Sequence, residues 1–453
     1  MNEGRYRAAI FLVAFVACAL VTKTHPDSWN DRSRFATIES LTVRHTFAID
    51  GSPFLAAMED RYVYRGRTYS DKPPLLAILG AGVASALALA GVTFARSQGT
   101  VVYLVTLGVI GGWFALGAVY AYAMQRELGF ERRVATSVAA LAGLGTLAFP
   151  YATVYANHVP AGAAALAAFY HARRSERIPY EGAPAGLFFA VAVGCDAGAL
   201  PFGLGVLVLL LGTRRPAPLS YALAAVLPLA VAQALFNHSV SSGFVPPAIN
   251  ANSWADPHSP FHNDYTSLGR FHSVLDYLEY ALYLLAGDKG LFSYTPVFLV
   301  ALAGLGYWWR GGSAGERLMA AAVVVPCIVY VALIVLYTDD YTSWSYGDRR
   351  YAEIAYVLCI PLGQALVLAR EDLRFRVATL LLAAASIGLA ALGTLEPFTG
   401  PEGILGGWRE FQALLRRAPV QGTIDVLALA LAVTVVLRAL SRTMRSTIVS
   451  PSR

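Results

Sequence analysis

Thirteen apolar runs divide this chain of 453 residues, at about 8–22, 74–94, 100–124, 134–152, 158–171, 184–197, 199–213, 219–236, 291–308, 318–336, 352–369, 377–393 and 423–438. Many approach or exceed the roughly 20 residues that a helix needs to cross a ~30 Å hydrocarbon core. Charged residues make up only 14% of the chain, where soluble domains carry about 25%. The expected fold is an all-α polytopic membrane protein, a single membrane domain over 1–453 without internal repeats, low-complexity tracts or a soluble domain. The net charge of +6 is therefore assigned to cytoplasmic loops and not to nucleic acid.

Arginine positions set the topology, because short Arg-rich loops stay inside. The clusters are Arg5/Arg7, Arg126/Arg132/Arg133, Arg173/Arg174/Arg177, Arg214/Arg215, Arg310/Arg317, Arg370/Arg374/Arg376 and Arg438/Arg442/Arg445. If the run 74–94 crosses fully, the clusters at 126–133 and 173–177 land outside. If it lies in the interface or re-enters, every cluster lands inside. This parity predicts about twelve spans, both termini cytoplasmic, and 74–94 as a non-spanning helix or hairpin. The outer loops are then 23–99, 237–290 and 394–422, with a short turn at Ala156–Pro160 and the segment Thr338–Tyr351. All histidines except His171 fall on that side. The stretch Trp408–Arg417 has the spacing of an interfacial amphipathic helix.

The four cysteines, Cys18, Cys195, Cys327 and Cys359, sit inside apolar runs without metal-ligand spacing and read as small buried hydrophobes. The first run follows Arg5 and Arg7 and contains Ala17-Cys18-Ala19. That resembles a signal peptide or a weak lipoprotein box, and a signal-anchor span fits it equally well.

The outer side holds the polar candidates. In the first loop, Asn30 or Asp31 can cap a surface helix with Phe35, Ile38 and Leu41 on its apolar face, and Asp31 and Arg34 share one face. Alternating aromatic and basic residues around Arg65-Gly66 predict a short hairpin. It delivers Tyr69-Ser70-Asp71-Lys72-Pro73-Pro74 to the next helix start, where proline suits the first turn. Asp71-Lys72 is a rigid charge pair at the membrane surface, and Asp60 lies in the preceding strand region. Asn157-His158 sits at a span end before Pro160. Asp196 is an intramembrane carboxylate, a functional candidate or the cap of a helix break. Asp339-Asp340 precede Asp348-Arg349-Arg350, which places two arginines outside against the charge rule; arginine binds phosphate in bidentate fashion, so an anionic partner is the expected reason. Trp254, Asp256, His258, His262 and Asp264 make a polar aromatic loop suited to sugar binding, or a solvated loop. His258 and His262 lack a third metal ligand.

With these residues assembled, the chain resembles the GT-C glycosyltransferases, and among them the protein O-mannosyltransferases and the lipid A aminoarabinose transferases. Asp31-Arg32-Ser33-Arg34-Phe35-Ala36 is similar to that group's Asp-Glu-x-Arg-Tyr-Ala, Ser70-Asp71-Lys72-Pro73-Pro74-Leu75 to its Lys-Pro-Pro-Leu, and Ser345-Tyr346-Gly347-Asp348-Arg349-Arg350-Tyr351 to its Tyr-Gly-x-Arg-Tyr. Two departures stand out. Arg32 replaces the usual glutamate, and Asn157-His158 stands where many relatives carry an acidic residue.

The resemblance implies a membrane glycosyltransferase that moves a sugar from a polyprenyl-phosphate carrier to an acceptor hydroxyl on a glycan, lipid or protein, at the outer face of a bacterial inner membrane. It implies Asp31 as base, with Asp60 and Asp71 as the other first-loop acids. Lys72 holds the donor phosphate, with Arg34 and either Arg349 or Arg350 in support. Tyr69, Asn157, His158, Asp196, Trp254 and His258 are the remaining substrate-binding candidates. No metal or other cofactor is required, because lysine and arginine can neutralise the phosphate. The other readings kept open are a transporter or flippase, which normally shows inverted repeats, and a lipid-linked polysaccharide ligase or polymerase.

Overall fold

The apolar runs fold almost entirely as helices. The computed structural model describes residues 2–445 apart from 57, 251–252, 254, 260–270, 272, 339–343, 399–402 and 418, and only the backbone of 419–429 and 431–432. The first half holds α1 (Glu3–Ala19), α2 (Trp29–Val43), α3 (Pro74–Leu89), α4 (Phe94–Thr106), α5 (Gly112–Glu127), α6 (Arg132–Leu144), α7 (Ala148–Ala152), α8 (His158–Arg174), α9 (Gly182–Cys195), α10 (Phe202–Gly212) and α11 (Pro216–Ser241). The second half holds α12 (Val274–Ala286), α13 (Leu291–Tyr294), α14 (Phe298–Gly311), α15 (Ala314–Tyr337), α16 (Tyr351–Leu358), α17 (Leu362–Leu368), α18 (Leu373–Gly393), α19 (Gly403–Arg417) and α20 (Pro419–Arg445).

Among the described residues four helices are long and apolar enough to cross a membrane: Phe94–Glu127, Pro216–Ser241, Ala314–Tyr337 and Leu373–Gly393. Two bent pairs, with angles of 99° and 50°, raise the number to six. Twelve were expected. Several of the predicted runs fold as shorter helices, such as Ala197–Gly212, α6 and α8, and the run 352–369 bends at Pro361 between α16 and α17.

The centre of the bundle is α8, which packs on α5, α9, α10 and α16. Its run of alanines is buried from Ala161 to Ala168, and such small residues let neighbouring backbones approach closely. Gly162 is the closest point: an added Cβ would stand 2.8 Å from Cα of Glu353 and 2.9 Å from the carbonyl oxygen of Ala352. This contact sets α16 directly against the start of α8.

Arginines from several segments meet at one end of the bundle. Arg126 and Arg132 both reach Glu3, Arg177 reaches Glu127 and Arg370 reaches Glu131. At the opposite end, the backbone N–H of Lys23 donates to Thr153 O at 2.9 Å, and its Nζ donates to Leu395 O at 2.6 Å. The chain segments that follow α1, α7 and α18 are tied together there.

The first loop folds over that second end. β1 (Arg61–Tyr64) and β2 (Arg67–Ser70) pair antiparallel, with Tyr64 opposite Arg67. Arg65 and Gly66 connect them with φ of 51° and 73°, the left-handed pair that a type I′ hairpin turn needs. The hairpin docks on the end of α11 through Tyr62, whose hydroxyl donates to Val240 O at 3.2 Å, and through a Tyr64–Ser242 hydroxyl contact.

Pro74 opens α3 in its first turn, and a 16-residue helix is about 24 Å long. Its buried face, Leu76, Ala77, Gly80 and Ala84, lies against α2. Beyond it the chain returns at once: Phe94 packs edge-on against Phe54 at 5.7 Å, Phe54 against Phe35 at 5.6 Å, and Phe35 against Tyr155 at 5.1 Å. The Tyr155 hydroxyl then donates to Leu76 O at 2.7 Å. One aromatic chain thus joins the start of α3 to the residue that follows it.

The four cysteines are free, with Cys18, Cys195 and Cys359 buried, in keeping with their reading as small hydrophobes.

Candidate functional site

Four stretches distant in sequence converge at the end covered by the first loop. They are the start of α2, the region from Asp60 to Lys72, the Asn157-His158 junction with Asp196 behind it, and the segment from Asp348 to Glu353.

The N-cap of α2 is Ser28, not Asn30 or Asp31, and Asp31 completes a capping box from the third helical position. Its Oδ1 accepts from the Ser28 N–H at 2.7 Å, the Ser28 hydroxyl at 2.9 Å and the Arg32 N–H at 3.0 Å. Its Oδ2 accepts from the Asp27 N–H at 2.8 Å. Asp31 is only 1% exposed, and burial pushes its carboxyl up to about 6 against the pull of those donors. The expected pairing of Asp31 with Arg34 is not a hydrogen bond. Arg34 instead donates to the carbonyl and side-chain oxygens of Asn30 at 3.0 and 3.1 Å. The reason is geometric: the backbone donors at the helix start already claim the Asp31 carboxylate.

Lys72 is held between two acids, with Nζ 2.9 Å from Asp60 Oδ2 and 2.8 Å from Asp71 Oδ2. Burial alone would lower the ammonium, but the two carboxylates outweigh it and hold it above its ordinary value. The acids respond differently. Burial raises Asp60, yet Lys72 more than offsets that and leaves it low; Asp71, more deeply buried, stays high despite Lys72. Arg34 lies in the field of Asp196, Asp71, Asp60 and Asp31.

Arg34 and Lys72 also line one small cleft. Its walls are Phe47, Tyr69, Pro73, Pro74, Ala77 and Phe236. Phe47 and Phe236 meet edge-on at 4.8 Å, and Tyr69 packs on Tyr62 at 5.9 Å. Two cations and the hydroxyls of Thr37 and Ser70 thus share one narrow cleft with apolar side chains.

Behind this cleft is a buried triad. His158, in the first turn of α8, has Nδ1 2.9 Å from Asp196 Oδ2 and 2.7 Å from Glu353 Oε1. Asn157 donates its side-chain amide to the same Asp196 oxygen, and Asp196 caps the short 3₁₀ turn after α9 by accepting from the Gly198 N–H at 2.8 Å. Asp196 thus caps the helix break and at the same time joins the polar cluster of Asn157, His158 and Glu353. One ligand atom from each of His158, Asp196 and Glu353 lies within 4.8 Å of the others, a spacing that a divalent ion can use. In this arrangement the Nδ1–H bonds the carboxylates directly.

Glu353 is the residue that motif reading missed. It is fully buried. The available signal was a single carboxylate inside the apolar run 352–369, a feature that marks functional or structural polar sites in membrane segments.

Arg349 and Arg350, expected on the outer side against the charge rule, take different partners. Arg350 turns back on Asp348, with Nε 2.8 Å from Oδ1, and its carbonyl accepts from the Tyr330 hydroxyl at 2.9 Å. Arg349 lies within electrostatic reach of Asp60 and His158. Tyr346 anchors the segment: its N–H donates to Pro397 O at 2.9 Å, and its carbonyl accepts from the Tyr151 hydroxyl at 2.9 Å.

His258 stands apart, exposed, with Nδ1 3.0 Å from Asp256 and no bond to this cluster among the described residues. Trp254, His262, Asp264, Asp339 and Asp340 lie outside the described residues.

The chain shares this fold, apolar helices with a loop-covered polar cluster at one end, with solved structures of low sequence identity. It is similar to ArnT from Cupriavidus metallidurans bound to undecaprenyl phosphate, with a TM-score of 0.52 and 14% identity over 98% of this chain and 78% of that one. The apo state of the same protein gives 0.52 and 15% over the same shares. No protein-family model matches the sequence, and no curated protein matches it at a significant level.

Proposed function

We propose that this protein is a membrane glycosyltransferase that moves a sugar from a polyprenyl-phosphate donor to an acceptor hydroxyl at the outer face of a bacterial inner membrane. The observation that carries the reading is the cleft in which Arg34 and Lys72 sit under apolar walls, beside buried first-loop carboxylates. The undecaprenyl phosphate bound by the similarly folded ArnT supports a donor of this class. The outward orientation rests on the arginine clusters gathered at the other end of the bundle, and the chain return at Phe94 supports α3 as a surface helix in a bundle of about twelve spans.

In this reaction the acceptor oxygen forms a bond to the anomeric carbon as the bond from that carbon to the phosphate oxygen breaks. The electron pair leaves with polyprenyl phosphate, where Lys72 and Arg34 stabilise it, with Arg349 in support; fixed charges aimed at developing charge contribute several kcal/mol. The acceptor proton goes to Asp31, whose Oδ2 receives a single N–H and keeps a lone pair for it. A carboxyl near 6 suits a general base at neutral pH. Asp60 and Asp71, both bound to Lys72, are the alternative bases and otherwise orient the lysine. Direct displacement inverts the anomeric centre, and no step calls for a metal.

The test is incubation of the purified protein with a labelled polyprenyl-phosphate sugar and candidate acceptors. Release of free polyprenyl phosphate with sugar transfer is expected. Transfer from a polyprenyl-pyrophosphate-linked glycan supplied in parallel, with release of polyprenyl pyrophosphate and no cleavage of the monophosphate donor, indicates a ligase, and movement of the intact lipid without cleavage indicates transport; either result ends the proposal.

A further inference from the structure

The end of the bundle opposite the polar cluster carries a second recess, between α1, α6 and α20. Its volume is about 1100 Å³, at the upper end of the range for small-molecule pockets. The walls are apolar, with Val13, Leu144, Val435 and Val436 among them, and the rim holds Arg133, Arg442 and Arg445. Val13 and Val435 are 66% and 56% exposed, so the recess opens on the side of the bundle that faces hydrocarbon.

The arginines at this end divide into two sets. Arg126 and Arg132 are paired with Glu3, and Arg370 with Glu131. Arg133, Arg442 and Arg445 have no acidic partner among the described residues. Three unpaired guanidinium groups around the mouth of a greasy recess complement one kind of occupant, an acyl chain joined to an anionic head. Basic pockets between membrane helices bind anionic lipid heads on this principle.

The geometry points to a site for an anionic phospholipid of the leaflet that meets this end, its phosphate on Arg133, Arg442 and Arg445 and one acyl chain along Val13, Leu144 and Val435. Helix α20 then docks on α6 partly through bound lipid, where the direct polar link is the Ser137–Thr443 hydroxyl contact at 3.1 Å. The site is independent of the proposed transfer reaction, because it shares no residue with the polar cluster.

The experiment uses the full chain in nanodiscs of phosphatidylcholine containing phosphatidylglycerol, with retained lipid measured by native mass spectrometry. Wild type should retain phosphatidylglycerol over phosphatidylcholine, and the triple variant Arg133→Gln, Arg442→Gln, Arg445→Gln should lose that preference by on the order of 100-fold. Arg214→Gln with Arg215→Gln, basic but outside the recess, should leave it unchanged. If the triple variant does not fold, each single substitution should still lower retention about fivefold. Ala439→Phe, which fills the recess without touching charge, should displace the lipid as well. Equal retention by wild type and the arginine variants overturns the proposal, as does stronger retention of polyprenyl phosphate than of phosphatidylglycerol at this site.

Discussion

Nδ1 of His158 lies 2.7 Å from Oε1 of Glu353, across 195 positions of sequence. Both groups are buried, and an ionisable group without its partner in such a place is costly. Glu353→Ala leaves His158 with Asp196 alone and should destabilise the protein by about 1–3 kcal/mol, whereas Glu353→Gln, which keeps an acceptor oxygen for the imidazole N–H, should cost less. Thermal unfolding in detergent micelles measures both. Wild-type stability in Glu353→Ala would mean that the contact does not hold α8 to α16.

The triad that His158 and Glu353 form with Asp196 bears on metal dependence. Under a mechanism in which Lys72 and Arg34 carry the phosphate, exhaustive treatment with a chelator should leave the transfer rate unchanged. A rate that collapses and returns with a divalent ion would instead assign His158, Asp196 and Glu353 as ligands and overturn the metal-free step.

For Asp31, loss of the base should remove about 10²–10⁴-fold of the rate, so Asp31→Asn should fall by that factor with donor binding nearly intact. The base works as the carboxylate, and its carboxyl stands near 6, so wild-type kcat/KM should rise with pH through that value. Stability has the opposite sign. The folded form keeps a proton that the unfolded chain releases near 3.9, so this group's contribution declines as pH climbs from about 4 to 6. An Asp31→Asn enzyme at wild-type rate moves the base to Asp60 or Asp71.

Lys72→Ala should weaken donor binding by about 2–5 kcal/mol, part of it from the carboxylates left unpaired. The double variant with Asp60→Asn should recover stability and not affinity. Thermal unfolding reads the stability and calorimetric titration with polyprenyl phosphate the affinity, and unchanged affinity in Lys72→Ala ends the clamp assignment.

Local features of the site were legible in the sequence. The hairpin around Arg65-Gly66 followed from the alternation of aromatic and basic residues, a helix opening near residue 30 from the spacing of Phe35, Ile38 and Leu41, and the proline start of α3 from Pro73-Pro74. The expected single apolar face did not hold, because α2 is buried continuously from Ser33 to Ser40. The cap was placed two or three residues too late, because Ser28, Asn30 and Asp31 are all competent caps and only the chain's entry angle selects among them. The triad was beyond reach. Nothing local links His158 to Glu353; the link depends on the absence of a side chain at Gly162, which lets α16 close on α8. The helix count is similarly indirect, since hydropathy marks apolar segments and does not reveal how long each helix runs or that Pro361 bends one of them.

The double grip of Asp60 and Asp71 on Lys72 has a consequence for selectivity. An idle site that quenches its own ammonium offers little bare potential to passing phosphate, sulfate or nucleotide. To take the lysine, a newcomer must compete with two carboxylates already in place. A small soluble anion has only its charge to offer, whereas a lipid-borne phosphate adds the fit of its chain against Phe47, Pro74 and Phe236. If Lys72 holds the donor phosphate as proposed, the pair of acids works as a filter that passes an anion only when it arrives attached to a membrane lipid.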